Sequence, residues 1–193
     1  MKPSTRKEQI IKTAAKLFKE KGYSAVTMRD LASEMKIKAA SLYNHINSKQ
    51  DILNTIIISL AEEFTEGMKL IQLSNKNCID KLKQIIELHV KISSKNTHAM
   101  ACLNNDWMHL EDQLNYYKQL RTNYENDFRA ILENGISSKE IVNTNPEVMM
   151  FSILTTLRSL YIWIPKKEDL NLQELINTLN YILIEGIIQK NFN

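Results

Sequence analysis

Apolar residues recur every three or four positions along almost the whole chain, the period of an amphipathic helix rather than of a strand. The first run, Ile10, Ala14, Leu17 and Phe18, lines one helical face. Thr5 and Glu8 stand in front of it at the spacing of a capping box, where each side chain satisfies the other residue's free backbone N–H. Lys21-Gly22 supplies the stop. Thr27 and Asp30 repeat the box and open a short helix with Leu31, Ala32 and Met35 facing inward. A break at Lys36-Ile37-Lys38 precedes a third helix reaching about His45, and Ser48 with Asp51 forms a third box that opens a long fourth.

Further on, the periodicity predicts helices at about 49–73, 78–95, 97–105, 108–135, 145–164 and 169–190. Asn145-Pro146-Glu147 combines an N-cap, a proline at the first helical position and an acid facing the helix dipole. Pro165 ends that helix. Only four glycines and three prolines punctuate 193 residues, too few for a sheet protein of this size. The expectation is an all-α fold of about nine helices, its first three forming a helix-turn-helix head in residues 1–48 and the remainder, 49–193, a larger helical domain.

Charge sharpens that division. Residues 1–50 hold 11 Lys and Arg against four acids, net +7, although the whole chain carries only +3; residues 51–193 are therefore net −4. A basic head on an acidic body points to a polyanion partner for the head. Cys78 and Cys102 form no CxxC and read as reduced thiols. The polar start, MKPSTRKEQIIK, has no signal-peptide pattern, and runs such as IIISLA are too short to span a bilayer, so a soluble cytoplasmic protein with no membrane partner is expected.

Candidate chemistry concentrates in the third helix. With Leu42 facing inward, Lys38, Ala39, Ser41, Tyr43, Asn44 and His45 face outward. Ser41 and Asn44 suit base edges or phosphates; Tyr43 and His45 can donate to phosphate oxygens while their rings meet sugars or thymine methyls. Lys49 adds its charge to the positive start of the fourth helix, a phosphate clamp, and Thr27 and Arg29 offer the same at the second. Lys2 and Arg6 could lie across the groove edge. Singly, each has a bland alternative, Tyr43 as a core aromatic or His45 as a surface histidine.

The stretch GYSAVTMRDLASEMKIKAASLYNHINSKQDIL, residues 22–53, resembles the DNA-binding segment of the TetR (tetracycline-repressor-like) transcriptional regulators. Gly22, Thr27, the DLA of 30–32, Ile37, the SLY of 41–43, His45, Lys49 and Asp51-Ile52 carry the resemblance. It implies DNA contacts at Thr27, Tyr43, His45 and Lys49. Lys36 stands where the family usually has glycine, Lys38 replaces a Ser/Thr cap, and Ala39 replaces a frequent Lys or Arg, which weakens the case for a strong guanine contact there.

The resemblance further implies a ligand-responsive regulator, a repressor acting as a homodimer on a near-palindrome in double-stranded DNA, with a ligand-binding and dimerisation body. Its last two long helices would form the dimer interface, here through Leu154, Leu157, Tyr161, Leu175, Leu179 and Ile182. Burial within one chain is the alternative for such wide apolar arcs. A pocket between the fourth helix and the 78–135 region would draw on Met100, Asn104, Trp107, His109, Tyr117, Tyr124 and Phe128, residues that equally suit a core. YENDFRAILENGI, NPEV and Trp163 loosely resemble TetR-type regulators of lipid and acyl-CoA metabolism, so a small hydrophobic effector is expected. Asp106, Glu111 and Asp112 would suit a cationic one instead. His45, His89, His98 and His109 are scattered, and no P-loop, nucleophile elbow or HExxH occurs; no metal, cofactor or catalytic residue is expected. The competing class is a helical small-molecule carrier or bundle enzyme that does not bind DNA.

Overall fold

The computed structural model describes residues 5–188. They form helices α1 (Arg6–Lys21), α2 (Met28–Glu34), α3 (Ala39–Tyr43), α4 (Lys49–Leu73), α5 (Cys78–Lys95), α6 (Thr97–Asn105), α7 (Leu114–Ser137), α8 (Pro146–Arg158), α9 (Leu160–Trp163) and α10 (Leu172–Ile184). With α8 and α9 counted as one helix interrupted at Ser159, that is nine among the described residues. The same residues contain no strand, only an isolated antiparallel bridge between Ile141 and Ile188. The all-α expectation holds.

Local chemistry sets the boundaries. Two of the three predicted capping boxes form in full, at Thr5 with Glu8 and at Thr27 with Asp30. Gly22 adopts φ +83 and its N–H donates to the Phe18 carbonyl, a conformation open to glycine without strain. Ser48 Oγ accepts from the Asp51 N–H at 3.0 Å, whereas the Asp51 carboxylate reaches Asn47. Asn145 caps α8 by accepting from the Glu147 N–H.

The predicted helix over 108–135 begins later. Two 3-10 turns, Trp107–His109 and Glu111–Gln113, precede α7, because Leu110 is fully buried and Glu111 takes φ +46. The predicted 145–164 helix breaks at Ser159. The 169–190 helix opens at the Asn171 cap and ends at Ile184; residues 189 and 190 lie outside the described residues. One stretch, Pro146–Lys166, is long and apolar enough to cross a membrane by length and composition, which corrects the expectation that every apolar run is too short. Met149, Met150, Ile153, Leu154 and Leu157 of that stretch are buried inside the fold.

Contacts divide the described chain into two compact units. The first joins residues up to Glu62 to Asn96–Lys118; the second holds Glu63–Lys95 and Gln119 onward. In the first, α1 packs against α2 and α6, and α2 against α3. Its core includes Ile10, Ala14, Phe18, Leu31, Leu42, Ile46, Ile52 and Leu53. In the second, α5 packs against α8, α9 and α10, with Ile85, Ile86, Val90, Phe128, Leu132 and Leu157 inside. Sequence order places α6 with the body; its contacts place it against α1.

Candidate nucleic-acid interface

The helix-turn-helix is built by α2, the turn at Met35–Lys38 and α3. The turn reverses through Lys36 at φ +54, so a lysine occupies the left-handed conformation that glycine fills at no cost. The Ile37 N–H donates back to the Ala32 carbonyl at 3.0 Å and closes the turn. Lys38 precedes α3 with no side-chain cap. The helix ends tightly, the N–H groups of His45 and Ile46 both donating to the Leu42 carbonyl at 2.9 and 3.0 Å. It is therefore shorter than predicted, and His45 lies in the turn beyond it.

Leu42 and Ile46 are buried at 0% and 1% exposure and anchor this element. Lys38, Ser41, Tyr43, Asn44 and His45 are exposed, and Ala39 is half-buried. Tyr43 is 54% exposed, which removes its reading as a core aromatic. Ala40 and Lys36 are exposed beside these residues and were missed in the sequence: an alanine and a turn lysine carry no signal of their own. Arg29 is exposed at the start of α2. Thr27 spends its hydroxyl on the box, accepting from the Asp30 N–H at 3.2 Å and donating to the Asp30 carboxylate at 2.6 Å. That same hydroxyl holds the Asp30 carboxyl below its usual range. Lys2 lies outside the described residues.

Lys49 is half-buried and partly committed. Its ammonium donates to the carbonyls of Tyr23 and Val26, both at 2.9 Å, and sits 4.3 Å above the Tyr23 ring. An ammonium has three hydrogens, so one is left for a phosphate. Tyr23 in turn donates to Gln50 Oε1 at 2.7 Å, and Gln50 Nε2 donates to the His109 carbonyl at 2.6 Å and to Asn54 at 3.0 Å. The His109 ring lies 5.3 Å from that of Tyr23.

The expected ligand residues separate. Met100, Asn104, Trp107, His109 and Tyr117 belong to the first unit. Met100 is buried in α6, Asn104 donates to the Met100 carbonyl, and Trp107 stacks on Tyr117 at 5.9 Å. Tyr124 and Phe128 belong to the second, in an aromatic cluster with Phe64 and His89. His89 bonds Tyr124 Oη at 2.7 Å and was dismissed in the sequence as one of four scattered histidines.

The dimer residues need correction. Leu154, Leu157, Tyr161 and Leu179 are buried in the chain's own core, because α8–α10 turn those faces toward α5 and one another, and Leu175 is half-buried. Of the six, Ile182 alone is widely exposed, at 63%. The apolar residues facing outward nearby are Val148, Phe151 and Ile162 of the α8–α9 stretch and Tyr181 of α10. An open groove of about 330 Å³ runs between Val148, Ser152 and Ile153 on one side and Ile182, Leu183 and Ile187 on the other.

A capped helix-turn-helix presenting polar side chains over buried anchors, on an otherwise all-helical chain, defines a DNA-binding regulator. The chain belongs to the TetR family: the pattern described as "Bacterial regulatory proteins, tetR family" matches residues 10–56, and "Tetracyclin repressor-like, C-terminal domain" matches residues 75–187. This is a family of transcriptional regulators, not of enzymes. The HTH-type transcriptional repressor KstR2 of Rhodococcus jostii is 25% identical over 135 residues, covering 69% of this chain and 66% of that one. The biofilm operon negative regulator IcaR of Staphylococcus epidermidis is 30% identical over 120 residues, 56% of this chain and 63% of its own. These matches span less than two thirds of those relatives' length. The structure of the ketosteroid regulator KstR2 of Mycobacterium tuberculosis has the same fold, with a TM-score of 0.90 over 98% of both chains at 19% identity.

Proposed function

We propose that the protein is a ligand-responsive repressor that binds a near-palindromic operator as a homodimer in the cytoplasm, with no membrane partner. The head, residues 1–48, reads DNA through Lys38, Ala39, Ser41, Tyr43, Asn44 and His45, and Arg29 and Lys49 hold phosphates beside Thr27, whose own donors serve the α2 cap. The observation that carries this reading is the exposed polar face from Lys38 to His45, fixed by Leu42 and Ile46 in the core. Two such faces, about 34–36 Å apart in a dimer, would read successive major grooves. Dimerisation falls to the outward residues Phe151, Tyr181 and Ile182 in the body, residues 49–193.

The effector is small and hydrophobic, of a lipid- or acyl-CoA-like kind. The aromatic cluster holding Tyr124 and Phe128 supports that reading, as does the shared fold of a ketosteroid regulator. Gel retardation on fragments of the gene's own upstream region tests the whole. Sequence-specific retardation at moderate salt is expected, lost in Tyr43→Ala and Asn44→Ala; its absence in the wild-type protein, or its persistence in both variants, sinks the reading.

A further inference from the structure

Within the second unit, α5 carries three buried side-chain polar atoms that have no partner among the described residues, Gln84 Oε1, His89 Nδ1 and Ser93 Oγ. His89 is 4% exposed and Ser93 0%. Their four-residue spacing puts them on one face of α5, a turn apart. Buried polar groups in native proteins are almost always satisfied, so two orphans on one face call for an explanation.

The chemistry of both atoms follows from their neighbours. Tyr124 is buried with its hydroxyl 2.7 Å from His89 Nε2; either group can donate according to the His89 tautomer, and the hydroxyl, which has no other hydrogen-bond partner among the described residues, is assigned as the donor. Burial, with a smaller contribution from the charge of Arg158, pushes His89 down to about 3, so the ring is neutral and carries a single N–H. With Nε2 accepting, that N–H is on Nδ1. Ser93 does not bond the carbonyl four residues back, as a helical serine often does, and its hydroxyl remains available to donate. Two donors thus share a face with no acceptor. Around them stand the rings of Phe64, 4.6 Å from His89, and of Tyr124, with Phe128 beyond at 6.5 Å from Tyr124. Arg158, paired with Glu125 at 3.0 Å, acts on both His89 and Tyr124, and the Glu125 carboxylate opposes it at Tyr124.

We propose that His89 and Ser93 receive a carbonyl or carboxylate oxygen of an apolar effector whose hydrocarbon part lies among Phe64, Tyr124 and Phe128. This rests on the effector-responsive reading above and names the chemistry of its site. Two unpartnered donors offer nothing to an ammonium, which has only hydrogens to give, and bind an oxygen. Because both atoms are closed to solvent, the oxygen reaches them only when the surrounding helices part. Binding therefore favours one arrangement of the second unit over another, which is what a ligand needs in order to shift an equilibrium.

The test uses the full chain, with binding of decanoic acid, 2-decanone and decylamine followed by titration calorimetry, and urea unfolding of each ligand-free variant. Decanoic acid or 2-decanone binds and decylamine does not. Ser93→Ala and the double variant His89→Phe/Tyr124→Phe weaken binding by roughly tenfold or more, the size of a lost hydrogen bond in a buried site. Ser93→Ala is at least as stable as wild type without ligand, because it removes an orphan; a purely structural serine would give the opposite. No binding of either oxygen-bearing probe, equal binding by the variants, or equal binding of decylamine overturns the proposal. Gel retardation separates the two readings: DNA binding without probe binding removes this site and leaves the regulator, whereas probe binding without DNA binding does the reverse.

Discussion

Replacing Lys49 with methionine keeps the hydrocarbon stem and deletes the charge and three N–H donors. In the folded protein those donors reach the carbonyls of Tyr23 and Val26 at 2.9 Å, and the ammonium covers the Tyr23 ring at 4.3 Å. A hydrogen bond from a charged group is worth about 1.5–3 kcal/mol, but Lys49 stays partly solvated, so each bond is taken at about 1 kcal/mol. The ring contact adds about 0.5–1 kcal/mol. The sum is roughly 2–3 kcal/mol, or a fall in Tm of roughly 4–10 °C for a chain of this length. Thermal and urea unfolding of the DNA-free protein measure it. Fluorescence anisotropy across a salt series then measures the third hydrogen: if it holds a phosphate, affinity falls for every sequence and the log–log salt slope shrinks by about 0.9. An unchanged unfolding midpoint would refute the internal bonds. An unchanged salt slope with a lowered midpoint would make Lys49 a brace of the head and not a clamp.

Lys36→Gly relieves the left-handed backbone at φ +54; set against the entropy glycine adds to the unfolded chain, a net gain of about 0.5–1 kcal/mol is expected in urea unfolding. His89, held neutral to about 3 by burial, resists protonation in the fold but not in the unfolded chain. Its contribution is fully present above about pH 6.5 and is lost progressively as pH falls toward 3, roughly 2 kcal/mol by pH 5. His89→Phe/Tyr124→Phe should flatten urea midpoints across pH 5–7, and an unaltered pH dependence would place the titration elsewhere. Phe151→Glu and Ile182→Glu, at positions 70% and 63% exposed, should give a monomer by light scattering with unchanged helical circular dichroism. A persisting dimer mass would move the interface to another face.

The head was legible because its signals are local. Capping boxes at Thr5 and Thr27, the Gly22 stop and the Asn145-Pro146 start each depend on residues within four positions, and all four form. The left-handed turn at Lys36 was legible only through the resemblance to a family that usually has glycine there. Helix ends set by tertiary burial were not legible: fully buried Leu110 forces 3-10 turns where the period alone continued a helix. Nor were the faces of α8 and α10. Both helices are apolar over wide arcs, and only packing against α5 decides that Leu157 and Leu179 turn inward while Phe151 and Ile182 turn out. His89 was hidden for the opposite reason. One histidine on an apolar face looks the same in sequence whether its ring is satisfied or carries an orphan nitrogen.

Aromatic and polar residues around position 107 make many of their contacts within the first unit. Asn104, Trp107, His109 and Tyr117 have the makeup of a pocket, and in the first unit Asn104 donates to the Met100 carbonyl, Trp107 stacks on Tyr117 and the His109 ring lies against Tyr23. Gln50 is the junction: its carbonyl end accepts from Tyr23 and its amide end donates to the His109 backbone and to Asn54. Every hydrogen-bonding end of that side chain is used, and the next residue toward the N-terminus is Lys49. The 3-10 turn at His109 is thereby tied to the start of α4 through bonds of 2.6 and 2.7 Å, lengths with little slack before they weaken. Side chains that recognise a free ligand need unspent donors or acceptors. By that criterion the residues near 107 brace the DNA-reading head, whereas the unspent buried atoms at His89 and Ser93 leave recognition chemistry to be used.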